Sequence, residues 1–299
     1  MITKNNTANI LVTGAGGLNG SAIIREFQRQ GIPVNALVRK LNTQTEGQKT
    51  ANVNYVEGDM LRRDSLYRAL DGVDRALLIS TGNLEMVETQ CSFIDACKAA
   101  GVSHVIKFSG EESGIGFDSK KFLFTRMHEE IEDYLESSGL QWTHIRPSQF
   151  MEVYLREADS IKNKGILALS LEDITMSPVS VDDIEKIAVA LLSKDGHHGK
   201  SLRITGPQAL SMGEIAATFT KVTEKPVRYL KIPLEVRRQG MLAAGVPEYF
   251  ADAVYQQTVE RLRHPVARVD LSTHQLFGIT PIYFEDFARR HAKVFGKVD

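Results

Sequence analysis

The chain has 299 residues, with 36 basic and 37 acidic side chains and a net charge of -1. That balance excludes a protein built to live on nucleic-acid phosphates or anionic lipid, and the length allows one large domain or two lobes. Two cysteines, Cys91 and Cys97, are too few for a disulfide framework. The polar start has no apolar leader, and no stretch approaches the ~20 apolar residues of a membrane span. A cytoplasmic protein in a reducing compartment is therefore expected.

In chain order, Ile10–Val12 is a short apolar strand running into glycines. Ser21–Gln30 follows as a helix with Ile23, Ile24 and Phe27 on one face and Gly31 as its stop. Strands are predicted at Val34–Val38, Tyr55–Val56, Ala76–Ile79, His104–Phe108 and Trp142–Ile145. Helices are predicted from an N-cap at Asp64 to Gly72, over Met86–Ala100 and over Phe122–Ser137. Strand and helix in alternation mean right-handed βαβ units, hence an α/β, doubly wound, Rossmann-type parallel sheet. After residue 150 the segments become more helical, as at Met212–Lys221 and Glu248–Arg263. The sequence thus predicts a dinucleotide-binding domain over 1–150, rejoined by 179–205 through a strand at Leu202–Ile204. A smaller, mainly helical substrate lobe takes 151–178 and 206–299.

The first loop carries Gly14, Gly17 and Gly20 at intervals of three. Between a strand and an amphipathic helix, such glycines permit a tight turn, close approach of a pyrophosphate and close packing of the helix. The phosphates would rest on free N–H groups at the helix start, around Leu18 and Asn19. An NAD site usually places a carboxylate about 20 residues on. No acidic residue lies between Glu26 and Glu46; the second strand instead ends in Arg39 and Lys40. A guanidinium fork suits a 2′-phosphate, so NADP(H) is the expected cofactor. Asp59, followed by Met60, is placed either against the adenine or simply in a turn.

These motifs resemble the NmrA-like branch of the atypical short-chain dehydrogenase/reductases, with its QorB-type quinone reductases and triphenylmethane reductase. The resemblance runs through Ser138–Pro147, Val179–Ile184, Ile204–Ser211 and Ala244–Glu248. It implies that Ser80, Thr81 and Gly82 line the cofactor's ribose and phosphates. It also puts Phe108 and Ser109 beside the nicotinamide ribose, and Pro147 to Phe150 beside the ring. The tyrosine and lysine of ordinary short-chain dehydrogenases fall on Phe124 and His128. Phe124 cannot donate a proton. The resemblance implies that His128, four residues before Glu132, bonds the ribose or polarises or protonates the substrate, so it is the catalytic candidate with Ser109. Its other reading is a surface histidine paired with Glu132.

Without that relay, the favoured acceptor is planar and electrophilic, such as a quinone, which needs positioning more than a strong acid. A reductase of C=N or C=C bonds stays open. So does a redox sensor that binds NADP(H) and acts through a protein partner, and so does a homodimer. No metal is expected: His197 and His198 sit in a turn without a clear third ligand. The cysteines are expected to be inert. Glu111 and Glu112 are expected to be solvated, with Glu111 within possible reach of substrate. Tyr249, Phe250 and Tyr255 are expected in packing, in a region that the resemblance also lets wall the substrate pocket.

Overall fold

A computed structural model describes residues 8–47, 49–113, 116–171 and 174–297; the polar segment 1–7 lies outside them. Strands β1 (Ile10–Val12), β2 (Val34–Val38), β3 (Val53–Glu57), β4 (Arg75–Leu78), β5 (His104–Phe108) and β6 (Gln141–Pro147) share one sheet with Lys200–Ile204. The spatial order is β3-β2-β1-β4-β5-β6, with Lys200–Ile204 beside β6. Neighbours from β3 to β6 run parallel. The order reverses between β1 and β4, the switch point at which ligands of such sheets bind. This is the doubly wound α/β fold expected.

Every residue of β1, β4 and β5 is buried, as helices on both faces of a parallel sheet require. Two charged residues tolerate that burial. Arg75 extends the fourth strand one residue earlier than expected because its guanidinium donates to the Leu192 carbonyl (2.8 Å) and pairs with Asp195. Lys107 in β5 is the other and is taken up below. The expected cap at Asp64 is corrected: the Arg63–Leu70 helix has Arg62 at its N-cap with no side-chain bond, and Asp64 lies inside the first turn. There its charge still favours the helix start.

The chain divides into two compact units. The first comprises residues 1–110, 127–146 and 184–202; the second comprises 111–126, 147–183 and 203–299. Segment 111–126, expected with the sheet, belongs to the second, where Phe117 and Phe122 bury against Ala253 of the Glu248–Arg263 helix. The second unit has its own core, in which Tyr154, Phe219, Phe284, Phe287 and Phe295 are all buried. The Met212–Thr223 helix within it opens on a capping box between Ser211 and Glu214. Among the described residues, no helix is long and apolar enough to cross a membrane.

Candidate active site

The glycine loop has a geometry that only glycine permits at two places. Gly14 turns the chain out of β1 at φ +64°, in the left-handed region. A Cβ on Gly20 would stand 2.1 Å from the Gly14 carbonyl oxygen. Gly20 is therefore set by the turn itself, where sequence reasoning invoked the packing of helix on strand. The Gly17 N–H closes the loop by donating to the same carbonyl (3.0 Å). The Thr13 hydroxyl donates to the Ile79 carbonyl (2.7 Å) and fastens the end of β1 to the end of β4.

Helix α1 (Leu18–Gln30) begins three residues earlier than expected, which brings Leu18 and Asn19 into its first turn. Gly17 at its N-cap offers no side chain, and no acidic residue occupies the first turn. Its leading N–H groups thus keep their partial positive charge for an anion. Asn19 Oδ1 is buried without a partner among the described residues. An uncapped helix start and a cradle that a Cβ would fill together fit a dinucleotide phosphate, while the Asn19 amide oxygen is left for a hydroxyl or N–H donor.

Because the strands are parallel, their carboxyl ends share one edge of the sheet. Arg39 and Lys40 follow β2, exposed, and form no ion pair among the described residues. Asp59 and Met60 follow β3. Asp59 Oδ1 accepts from the Leu61 N–H (3.1 Å), which is the turn-bracing role. Ser80, Thr81 and Gly82 follow β4, and the Ser80 hydroxyl accepts from the Gln90 amide (2.9 Å).

Phe108 ends β5, with Ser109 next and buried. Lys107, one residue earlier, is fully buried, and its Nζ lies 2.8 Å from Nδ1 of His128 on the Leu123–Ser137 helix. Burial pushes the Lys107 ammonium down to about 7, with Glu132 opposing and Arg146 assisting. Burial, then Lys107 and Arg146, holds His128 well below the usual imidazole range, so it is neutral at physiological pH. The surface pairing of His128 with Glu132 does not occur. Glu132 instead accepts from Arg146 through both oxygens (3.2 and 2.5 Å). Burial raises the Glu132 carboxyl, but the Arg146 bonds, His144, Ser109 and Lys107 outweigh it and hold it low.

Sequence reasoning missed Lys107. The available signal was a lone cation in the otherwise apolar run Val105–Phe108 of a central strand. Among the described residues, no group of three His, Cys, Asp or Glu side chains could hold a metal; the His197 carbonyl accepts from Thr143 (2.8 Å). Burial raises the Cys91 thiol to about 11, helped by Glu130 and Asp95, and raises Cys97 further.

In the second unit, Pro147 closes β6, Ser148 N–H donates to Ile204 (2.9 Å) and Phe150 bridges Val179. The expected solvation of Glu111 and Glu112 is corrected. Glu111 is 5% exposed, and Glu112 pairs with Arg261 and accepts from Gln257 (2.8 Å). Burial first, then Glu112, raises the Glu111 carboxyl to about 7. Phe124 packs edge-on against Phe122 and Phe250.

The profile of the NmrA-like family matches residues 6–274. The chain belongs to that family. One NmrA-like relative is the NAD(P)H azoreductase of Xenophilus azovorans, 33% identical over 287 residues, covering 96% of this chain and 99% of the relative. Quinone oxidoreductase 2 of Escherichia coli is 26% identical, covering 84% and 87%. The NmrA-like fold is matched by an NADPH-dependent quinone oxidoreductase from Escherichia coli solved with NADPH, at a TM-score of 0.84 and 23% identity, covering 94% of this chain and 99% of that one.

Proposed function

We propose that this chain is an NAD(P)H-dependent oxidoreductase that uses NADPH to reduce a planar, electrophilic acceptor of the quinone or conjugated-dye class. The enzyme class follows from the family and from relatives named as NAD(P)H azoreductase and quinone oxidoreductase. One observation carries the cofactor site. The uncapped start of α1, shaped by Gly14 and Gly20, offers N–H groups to a pyrophosphate, with Arg39 and Lys40 after the next parallel strand forming no ion pair among the described residues. In this reading Gly17, Leu18 and Asn19 hold the phosphates and Arg39 and Lys40 the 2′-phosphate. Asp59 and Met60 border the adenine, and Ser80, Thr81, Gly82 and Phe108 border the ribose side. Pro147 and Phe150 border the nicotinamide. When bound, the dihydronicotinamide supplies the hydride.

What the chain adds to the chemistry is modest, and that selects the acceptor. Phe124 lies in an aromatic cluster where a proton-donating tyrosine would stand. His128 is neutral and offers an N–H rather than a strong acid; Ser109 is its companion. A quinone or cationic dye needs little more, because its reduced form is an aromatic hydroquinone or a neutral leuco compound. An unactivated ketone needs a better acid.

The test is NADPH oxidation followed by absorbance against a benzoquinone, a naphthoquinone, an azo dye, a triphenylmethane dye, an imine and a ketone. Fast loss with quinone or dye supports the reading. Turnover of the ketone but of neither quinone nor dye overturns it. Binding without oxidation of any acceptor favours a sensor acting through a partner. His128→Ala is expected to lower kcat and leave NADPH binding intact; unchanged turnover removes His128 from the chemistry. Arg39→Ala is expected to weaken NADPH by roughly 1.5–3 kcal/mol, about ten- to 150-fold, and NADH hardly at all. Calorimetry with both nucleotides checks this, and equal losses would remove Arg39 from the site.

A further inference from the structure

We propose that Lys107 is a positioning residue that locks His128 in the tautomer carrying its proton on Nε2. The inference rests on the reading of His128 as the donor to the acceptor. An ammonium has three donors and no acceptor. At 2.8 Å from Nδ1, Lys107 must donate and Nδ1 must accept, so the imidazole proton resides on Nε2. Nε2 itself makes no hydrogen bond among the described residues and so stays available for a ligand.

A lysine in a central, fully covered strand is costly to keep. The other hydrogen bond of its Nζ is to the neighbouring Phe108 carbonyl at 3.4 Å, and among the described residues no carboxylate pairs with it. The carboxylate whose charge acts on it, Glu132, is already held by Arg146. Among the described residues, the one well-made bond of this buried charge is thus to the candidate catalytic histidine. Its cationic form excludes the reverse arrangement, in which Nδ1–H donates to a neutral amine. That arrangement becomes available once Lys107 loses its proton, so the lock weakens on the alkaline side.

The groups that set this titration are Lys107 on β5, Cys91 on the Met86–Ala100 helix, Glu132 on the Leu123–Ser137 helix and Arg146 on β6. His128 in turn senses Lys107 and Arg146. Cys91 stays protonated and neutral through the pH range concerned, and Glu132, held low, stays a carboxylate.

The experiment is 15N NMR of the imidazoles in the full-length, histidine-labelled protein, with His128 assigned from His128→Gln, alongside steady-state kinetics from pH 6 to 9. Wild type is expected to show Nε2–H alone at pH 6, and kcat is expected to fall on an alkaline limb. Lys107→Met is expected to mix the tautomers and raise the His128 titration. It should also cut kcat at least roughly tenfold and abolish the limb, with KM for NADPH unchanged. Lys107→Arg, which restores a cationic donor, should recover the Nε2–H signature, and it serves if the methionine variant folds poorly. An unchanged tautomer and an unchanged kcat in Lys107→Met overturn the lock while leaving the His128 reading intact. A changed tautomer beside full turnover in His128→Ala keeps the lock and overturns that reading.

Discussion

Gly20→Ala is expected to abolish NADPH binding and to destabilise the first unit by several kcal/mol. The new methyl group would stand 2.1 Å from the Gly14 oxygen and 2.7 Å from its carbonyl carbon, and both are backbone atoms with no rotamer to change. Either the turn opens or α1 slides, and in both cases the N–H groups that face the phosphate lose their aim. Overpacking in a fixed site costs typically 1–3 kcal/mol, occasionally more. Here the loss of the loop's own bond from Gly17 to Gly14 adds to it. Two controls separate the shape of the loop from its glycine content. A Cβ on Gly16 meets nothing within 4 Å, so Gly16→Ala should bind as wild type. A Cβ on Gly17 makes only an ordinary 3.4 Å contact, so Gly17→Ala should fold normally and lose binding only if phosphate approaches that backbone. Thermal unfolding and calorimetry on all three variants check this. Gly20→Ala with wild-type affinity would refute the geometry of the loop.

The second large effect is a gain of stability. Lys107→Met is expected to be more stable than wild type near pH 6.5, by a few kcal/mol. A fall of the ammonium from 10.5 to about 7 on folding is worth roughly 5 kcal/mol if fully expressed. Leaving His128 Nδ1 without its donor returns about 1–3 kcal/mol of that. The sign with pH is fixed by linkage. Between about pH 7 and pH 10.5 the unfolded chain holds a proton on Lys107 that the folded chain has released. Wild-type stability therefore gains over that range, and the penalty is fully present only below it. Methionine is of similar size and does not titrate, so its advantage should shrink steadily from pH 6.5 to pH 9.5. Denaturant unfolding at the two pH values measures it. A variant less stable than wild type at pH 6.5, with a gap independent of pH, would mean that Lys107 is a well-paired ammonium that titrates alike in the folded and unfolded chain. A residue that costs stability and supports turnover is what a functional site is expected to keep.

The sheet was legible because its signals are local. Ile10–Val12, the glycines at intervals of three and the helix carrying Ile23, Ile24 and Phe27 each declare themselves within a dozen residues. The absence of acid between Glu26 and Glu46 was equally local, and Arg39 directly follows β2. Asp64 misled because an acidic residue inside the first turn, two positions after the true cap, looks like a cap in one dimension. Lys107 and His128 lie 21 residues apart, on a strand and a helix, and nothing in either segment announces their meeting. Glu111 and Glu112 failed for a related reason. A carboxylate pair after a strand reads as solvated until the distant Arg261 is known to cover it. Segment 111–126 was placed with the sheet on chain order alone, whereas the aromatic burial of Phe117 and Phe122 decides its company.

The state of the two thiols has a bearing on what such an enzyme can safely handle. Quinones are Michael acceptors that arylate thiolates, and a thiol must ionise before it can attack. Cys91 is held at about 11 and Cys97 is raised further, and these are all the cysteines the chain has. At neutral pH almost no thiolate is present, so if the acceptor is a quinone, as proposed, the chain is chemically deaf to the electrophile it would consume.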